Sequence, residues 1–395
     1  MLEATLRERA KGLLTAASGR SDVPPFMVMD VMAAAARIEA AGGHVIHMEV
    51  GQPAASAPKA AIQAARAALD SRIDYTAALG TPSLRERIAR HYRESYGFAV
   101  DSSRIVVTTG SSAAFILAFM AMFEPGDRVA VTVPGYPPYR HILTALGCEP
   151  VLIETSSETR HALTGEALLA AHRKTPLKGV LVGSPANPTG TMMSREALTS
   201  LMAAADGAGI RFISDEIYHG LDYAFPAVTA AELSADALVI NSFSKYFCMT
   251  GWRVGWMVVP EPLVRPIERL QQNLSISVPT LSQIAAEAAF DGKPEMEEVK
   301  RAYLENRRIL IEGLPRAGLT KFLPADGAFY LYADVSDFTS DSLAFAGQML
   351  EKAHVAATPG VDFDPIHGRQ FIRFSYARSA QEMREAVERI ARWLK

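Results

Sequence analysis

The feature that most constrains the fold is an alternation of short β-rich runs and helical stretches between residues 105 and 259. The strand candidates are residues 105–110, 128–134, 179–184, 210–214, 237–242 and 253–259. An apolar helical stretch at 111–123 follows the first of them and ends at Pro125-Gly126. This alternation predicts an α/β fold in which helices sandwich a mostly parallel sheet.

The pattern changes after Pro260. Long helical stretches cover residues 261–273, 280–291 and 295–313, and two strand candidates, 328–335 and 371–376, flank a helix at 341–353 before a terminal helix at 380–394. This pattern predicts a smaller α+β domain. We expect a large domain at 51–290 and a small C-terminal domain at 291–395, which residues 1–50 join.

Composition narrows the class of protein. Of the 395 residues 49% are apolar and 21% are charged, which is typical of a globular chain, and the net charge of −3 favours neither nucleic acid nor an anionic membrane as a partner. No apolar run approaches the roughly 20 residues that span a bilayer, and residues 1–20 lack a signal-peptide pattern. Two cysteines, Cys148 and Cys248, are too few for a disulfide framework or a Cys-rich metal site. We therefore expect a cytoplasmic enzyme without a metal.

The densest chemical signal surrounds Lys245, which comes at the end of a buried strand candidate. A lone lysine there is most simply a side chain that reaches solvent, because lysine is seldom buried without a partner. Here Ser242 and Ser244 precede it and Arg253 follows it. Hydroxyl groups and a guanidinium together suit a phosphate, and a desolvated lysine beside a phosphate site suits an aldehyde cofactor.

Polar residues follow two other strand candidates, at the edge where open α/β sheets bind ligands. Asn187 lies in the run SPANPTG and Asp215 and Tyr218 in the run SDEIY. A turn and a helix-capping acid are the simple interpretations. In a functional site, Asn187 would contact a ligand oxygen, Asp215 would hold the proton of a pyridine nitrogen, and Tyr218 would donate to the ring oxygen.

Two weaker signals lie nearby. Ser111, Ser112 and Ala113 begin a predicted helix, where free N–H groups and the helix dipole suit a phosphate, although serine is also simply a good N-cap. Tyr136, after the next strand candidate, is placed to stack on a flat ring or to pack within its own loop.

The runs SPANPTG, SDEIY and SFSKYFCMTGWRVG, in that order, resemble the fold-type-I aminotransferases of class I/II, the aspartate aminotransferase superfamily. The resemblance covers nearly the whole chain and implies a seven-stranded sheet and pyridoxal 5'-phosphate as cofactor, held by Lys245 as a Schiff base. It implies that Asp215 pairs with the pyridine nitrogen, that Asn187 and Tyr218 contact the ring hydroxyl and that Tyr136 stacks on the ring. The residues that it places around the phosphate are Ser111, Ser112, Ala113, Ser242, Ser244 and Arg253.

The same resemblance implies how substrates bind. Arg373 would clamp the α-carboxylate of an amino acid or a 2-oxo acid, helped by the Gly51 backbone and Asn187. Tyr75 would reach the phosphate in a neighbouring subunit, which implies a homodimer. Some aspartate-using relatives carry a lysine where this chain has Ser112 and Ala113, and the segment 23–26 resembles one that lines the substrate pocket. We therefore expect a donor with a neutral or apolar side chain, with 2-oxoglutarate still possible as acceptor.

Other functions remain open on the sequence. The same scaffold supports β-elimination, as in C–S lyases, and ring-forming synthases, because the motifs specify removal of the α-proton but not its return. A non-enzymatic regulator would need a DNA-binding domain, and the roughly 50 residues before the core are too few for one. A dinucleotide-dependent oxidoreductase is disfavoured because no G-x-G-x-x-G follows the first strand candidate.

Overall fold

The computed structural model describes residues 16–395. Its N-terminal part contains helix α1 (Met27–Ala40), strand β1 (Ile46–Met48), helix α2 (Lys59–Ala68) and helix α3 (Pro82–Tyr96). Helix α3 has well-defined ends, because the Thr81 hydroxyl accepts the N–H of Leu84 and Gly97 adopts a left-handed conformation with φ of 67°. Helix α3 packs against the larger of the two sheets that follow, whereas α2 packs against the helix at residues 280–289.

A seven-stranded sheet forms the centre of the larger part of the molecule. Its strands are β2 (Ile105–Thr108), β3 (Arg128–Val133), β4 (Glu149–Glu154), β5 (Gly179–Gly183), β6 (Arg211–Asp215), β7 (Leu238–Ser242) and β8 (Gly255–Val258). They lie in the order β2-β8-β7-β6-β5-β3-β4, and only β8 runs antiparallel to its neighbours. The carboxyl ends of the parallel strands therefore share one edge, where open α/β sheets bind ligands.

Helices cover both faces of this sheet. They are α4 (Gly110–Met122), α5 (Pro137–Ala145), α6 (Gly165–Lys174), α7 (Arg195–Gly207), α8 (Ala230–Leu233), α9 (Glu261–Leu274) and α10 (Thr280–Ala289). Alternate strand residues enter two hydrophobic cores: Val106 packs in the core that contains Phe115 of α4, and Val107 packs in the core that contains Ile88 of α3. Burial on both faces explains why the central strands are almost continuously apolar.

A five-stranded sheet forms the centre of the smaller part, which begins with helix α11 (Lys293–Gly313). Its remaining elements are β9 (Lys321–Phe322), β10 (Tyr330–Asp334), α12 (Ser342–Ala353), β11 (Val355–Pro359), β12 (Phe371–Ser375) and α13 (Ala380–Trp393). The strand order is β1-β11-β12-β10-β9, so the N-terminal strand β1 joins this sheet. Ser379 and Glu382 form a capping box that begins α13.

The predicted fold class is confirmed. The protein has an α/β fold, in which helices sandwich a mostly parallel seven-stranded sheet, together with a smaller α+β part. Strand β4 was not predicted, because Pro150 stands within it and its apolar run is short. It lies at the edge of the sheet, where a proline is tolerated. Of the N-terminal segment 1–50, residues 1–15 lie outside the described residues. Within residues 16–395, no helix is both long enough and apolar enough to cross a membrane.

Candidate active site

The predicted site residues meet at the carboxyl edge of the large sheet, where β5, β6 and β7 end beside one another. A cavity of about 250 Å³ lies there, between the two sheets. We call it the active-site cavity. The predicted residues that line it are Gly51, Ser111, Ser112, Tyr136, Asn187, Asp215, Tyr218, Ser244, Lys245, Arg253 and Arg373. Residues far apart in the sequence thus converge because parallel strands end at the same edge.

Three predicted residues do not line this cavity. Ala113 lies in the first turn of α4, and Ser242 contacts the lining through its hydroxyl, 3.0 Å from that of Ser244. Tyr75 is 80% exposed on the surface of the single chain. Their roles in cofactor binding stay predictions.

Lys245 projects into the cavity from the turn that follows β7. Its amine donates to the backbone carbonyl of Gly51 at 2.6 Å. Burial, together with the positive charges of Arg373 and Arg253, lowers the pKa of Lys245 to about 8. Near physiological pH the neutral amine, which an attack on an aldehyde requires, is therefore still the minor form but is far more abundant than at the ordinary lysine pKa of 10.5.

Asp215, the last residue of β6, is buried in the cavity wall. One carboxylate oxygen accepts the hydroxyl of Tyr139 and the other accepts the N–H of Ile217 at 3.2 Å. Burial raises the pKa of Asp215 to about 6, although both donors and the charge of Lys245 oppose the shift. This environment favours a cationic partner for the carboxylate, such as a protonated pyridine nitrogen.

Two tyrosines close the side of the cavity beneath Gly51. The hydroxyls of Tyr218 and Tyr330 lie 2.7 Å apart and share a hydrogen bond. A side chain at Gly51 would overlap the Tyr330 hydroxyl, so only glycine permits this close approach of the backbone. Tyr218 therefore has a fixed position from which its hydroxyl can also contact a ring oxygen.

An anion-binding corner lies at the start of α4. No side chain caps this helix at Thr109, so its first N–H groups are available. The guanidinium of Arg253 lies directly against the helix start, since a Cβ at Gly110 (φ 71°) would overlap it. These donors and the Ser244 hydroxyl match a phosphate, so the residues present fit the phosphate end of pyridoxal phosphate.

Arg373, in the middle of β12, is only 2% exposed. Its guanidinium donates to Asn187 Oδ1 at 2.8 Å, to Thr358 Oγ1 at 3.2 Å and to the Glu49 carbonyl oxygen. It forms no ion pair with a carboxylate within residues 16–395, and its Nε has no partner there. A buried cation needs an anion or several hydrogen-bond acceptors around it. The arrangement around Arg373 therefore suits a substrate carboxylate. Asn187 accepts through Oδ1, and its Nδ2 has no hydrogen-bond partner among residues 16–395, so it is available to donate to a ligand oxygen.

The opposite wall of the cavity is apolar. Phe26, Val28 and Met29 line it, and the ring of Phe26 packs edge-on against Tyr136 with centroids 6.0 Å apart. The backbone N–H of Met27 donates to Asp362 at 3.4 Å, which ties this segment to the turn after β11. Of the segment 23–26, which was predicted to line the substrate pocket, Phe26 lines the active-site cavity.

Two polar contacts in the cavity were not assigned from the sequence. Tyr139 holds Asp215, and its position three residues after Tyr136 on one helix face was an available signal. Tyr330 holds Tyr218 and stacks on Arg373, with the guanidinium carbon 4.3 Å from the ring centroid. The contact with Tyr218 joins the smaller part to the turn after β6, and neither contact leaves a local trace in the sequence.

Comparisons with known proteins identify the family of this chain. Residues 43–390 match the family model described as aminotransferase class I and II. The valine–pyruvate aminotransferase of Mycobacterium tuberculosis is 48% identical over 380 residues, 95% of this chain and 97% of that protein. A solved aminotransferase structure from Mycobacterium tuberculosis superposes with a TM-score of 0.93 at 47% identity, over 96% of this chain and 99% of that one.

A second solved structure, aspartate aminotransferase from Thermus thermophilus with maleate, has a TM-score of 0.90 at 31% identity, over 95% of this chain and 99% of that one. Proteins of this family use pyridoxal 5'-phosphate, which the anion-binding corner, Asp215 and Lys245 are able to hold. The chain therefore belongs to the class I and II aminotransferase family and is a transaminase.

Proposed function

We propose that this chain transfers the α-amino group of a neutral or apolar L-amino acid to a 2-oxo acid, with Lys245 as the amine that holds the cofactor. The observation that carries the proposal is the distribution of charge in the active-site cavity. The cations that line it within the described chain are Lys245, Arg253 and Arg373. If Arg253 takes the phosphate and Arg373 takes the α-carboxylate, none of the three remains for a second carboxylate on the donor.

The roles of the chain's own residues follow from their positions. When bound, pyridoxal phosphate supplies an aldehyde that receives the amino group and a ring that withdraws electrons from the α-carbon. Asp215, held by Tyr139, keeps a proton on the ring nitrogen. Arg373 and Asn187 orient the substrate carboxylate, and the Lys245 amine takes the α-proton and returns it. The apolar wall at Phe26 excludes water and accommodates the donor side chain.

The name of the Mycobacterium tuberculosis relative supports an apolar donor, since it pairs valine with pyruvate. The proposed donor class is tested by comparing L-valine with L-aspartate as amino donor, each with pyruvate as acceptor. We expect kcat/KM to be at least about tenfold higher for valine, because aspartate would bury a carboxylate without a cation. A preference for aspartate would contradict the proposed donor class while leaving amino transfer itself intact.

The competing lyase function is tested with S-methyl-L-cysteine in the absence of any 2-oxo acid. An aminotransferase stops after one amino group per site and resumes only when pyruvate is added. Continuous release of ammonia would instead favour β-elimination. The ring and carboxylate contacts described above are common to both reactions, so this measurement separates them.

Replacing Asp215 by asparagine should leave the fold intact and lower kcat by about 10²-fold or more, because a neutral amide cannot hold the ring proton. Cofactor retention is measured by absorbance, and turnover with valine and pyruvate. Asp206→Asn, an exposed change on α7, is the matched control and should keep full activity. Near-normal turnover in Asp215→Asn would rule out the proposed role.

Cofactor capture should depend on pH through Lys245. The neutral amine attacks the aldehyde, so a pKa of about 8 in place of 10.5 makes capture by the cofactor-free protein rise with pH and level off above about pH 9. Removing one positive neighbour in Arg373→Ala should move the midpoint upward. Stopped-flow absorbance at a series of pH values measures the rate. A rate that still climbs tenfold per pH unit above pH 9 would contradict the lowered pKa.

We propose that a second copy of this chain covers an exposed apolar patch formed by Leu69, Ile73, Tyr75, Leu274 and Ile276, which are 45–80% exposed in the single chain. Tyr75 would then reach the partner's anion-binding corner. Sedimentation of the holoenzyme should give a two-chain species, and Tyr75→Phe should bind the cofactor more weakly because it loses one donor to phosphate. A stable monomer with full activity would contradict this assembly.

The domain limits 1–50, 51–290 and 291–395 and the cytoplasmic location stay proposals. The pairing of β1 with β11 supports grouping the N-terminal segment with the small sheet.

A further inference from the structure

A second cavity, of about 450 Å³, lies between the two sheets and shares no lining residue with the active-site cavity. We call it the intersheet cavity. Pro134, after β3, and residues 155–157, after β4, line it from the large sheet. Tyr332, Asp334 and Phe371 line it from β10 and β12. Its volume is within the range of about 300–1,000 Å³ typical of small-molecule sites.

The charges around the intersheet cavity do not balance. Lys321 and His367 line it, but each is paired with a carboxylate outside the lining: Lys321 with Asp337 at 2.5 Å and His367 with Glu154 at 2.7 Å. Asp334 and Asp364 also line it, and within residues 16–395 neither forms an ion pair. His161 also lines the cavity, and burial lowers its pKa and so favours the neutral imidazole. The lining therefore has an excess of negative charge.

Asp364 is the buried carboxylate of this lining, with only 3% of the residue exposed. Its Oδ1 accepts the N–H groups of Ile366 at 2.8 Å and His367 at 3.0 Å. Its Oδ2 has no hydrogen-bond partner in the described part of the chain. Because Oδ1 already accepts two N–H groups, Oδ2 is the atom of this lining residue that can accept a donor supplied by a bound molecule.

The rest of the lining indicates what else a bound molecule that carries this donor would contain. Phe371 stacks on Tyr332 with ring centroids 4.7 Å apart and planes 6° apart. Pro134, Phe322 and Leu323 add further apolar surface. The Tyr332 hydroxyl is buried and has no partner within residues 16–395. Carboxylate and aromatic rings together attract an organic cation, and the apolar surface suits a hydrocarbon body.

We propose that the intersheet cavity binds a small organic ammonium ion with an apolar body, whose N–H donates to Asp364 Oδ2. Two contacts connect the lining of the intersheet cavity with Arg373 of the active-site cavity. Tyr332 is the direct cross-strand partner of Arg373, and the Phe363 ring, next to Asp364, lies 4.6 Å from the Arg373 guanidinium carbon. An occupant should therefore change KM for the amino acid. That consequence rests on the proposed role of Arg373, whereas the binding itself does not.

The probe is protonated N,N-dimethyl-2-phenylethylamine, a tertiary amine that cannot join covalently to an aldehyde cofactor. Its binding to the holoenzyme is measured by isothermal titration calorimetry near neutral pH, with uncharged 2-phenylethanol as the comparison ligand. We expect one site per chain and at least about tenfold weaker binding of the alcohol, because only the amine pairs with Asp364. Equal affinities for both ligands would overturn the proposal.

Three variants locate the site. Asp364→Asn keeps the acceptor for Ile366 and His367 but removes the charge, and it should weaken binding by at least about tenfold. Glu158→Gln removes one exposed negative charge from the same loop region without touching the lining and should bind normally. Ser157→Trp fills the cavity from its rim and should abolish binding, which keeps the test decisive if Asp364→Asn folds poorly. Undiminished binding in Ser157→Trp would place the ligand elsewhere and overturn the proposal.

Discussion

Replacing Lys245 by alanine is expected to abolish covalent retention of the cofactor and to lower turnover by about 10⁴-fold or more. Lys245 is the lysine of the active-site cavity, and its amine is proposed both to hold the aldehyde and to move the α-proton. The anion-binding corner is untouched by the change, so some cofactor should still bind without a covalent bond. The absorbance of the purified protein after gel filtration, and turnover with valine and pyruvate, measure the two effects.

Lys178→Ala is the matched control, because Lys178 is exposed beside β5 and lines neither cavity. It should retain both the cofactor and full turnover. If Lys245→Ala still carried covalent cofactor or kept a substantial rate, another amine would have to be responsible.

The second large effect is expected at Arg373, whose replacement by alanine should sharply reduce kcat/KM for an α-amino acid. Loss of a buried, bidentate pair costs about 2–5 kcal/mol, which corresponds to roughly 30-fold to several-thousand-fold. The matching amine, which has no carboxylate, should react weakly and at nearly the same rate in both proteins. Kinetics with the two donors, an amino acid and its decarboxylated analogue, measure this difference.

Arg373→Lys keeps the charge but loses the planar fork that contacts Asn187, the Glu49 carbonyl and the substrate, so it should restore only part of the rate. Arg369→Ala is the control, since Arg369 is exposed and, within residues 16–395, its ion pair is with Asp341 at 3.4 Å. Equal losses for the acid and the amine in Arg373→Ala would mean that Arg373 supports the fold rather than the substrate.

The fold was predictable where local patterns are strong. The central strands β5, β6 and β7 are apolar runs between helical stretches, and their observed ends differ from the predicted ends by at most one residue. Strand β1 has only three residues, and its partner β11 lies some 300 residues away, so no local pattern marks either. The strand order could not be derived from the sequence, because it depends on which helices pack on which face.

The candidate site was predictable where one strand end carries several polar groups. Asp215 is the last residue of one buried strand and Lys245 follows another, and the topology brings those strand ends together. The contact of Tyr330 with Tyr218 depends on the packing of the smaller part against the larger one, and its contact with Arg373 depends on the register of β10 against β12, which no spacing in the sequence encodes. The lining of the intersheet cavity likewise combines residues of both parts, although the charged residues Lys321, Asp334, Asp364 and His367 all belong to the smaller one.

The most direct test of the central claim, that Lys245 holds the cofactor, is chemical labelling of the holoenzyme. Borohydride reduces a lysine–cofactor linkage to a stable secondary amine, and mass spectrometry of a proteolytic digest then identifies the modified peptide. We predict that the cofactor mass is found on the peptide that contains Lys245, and that prior incubation with an amino donor prevents the labelling. Labelling of any other lysine, or none, would contradict the assignment on which the proposed function depends.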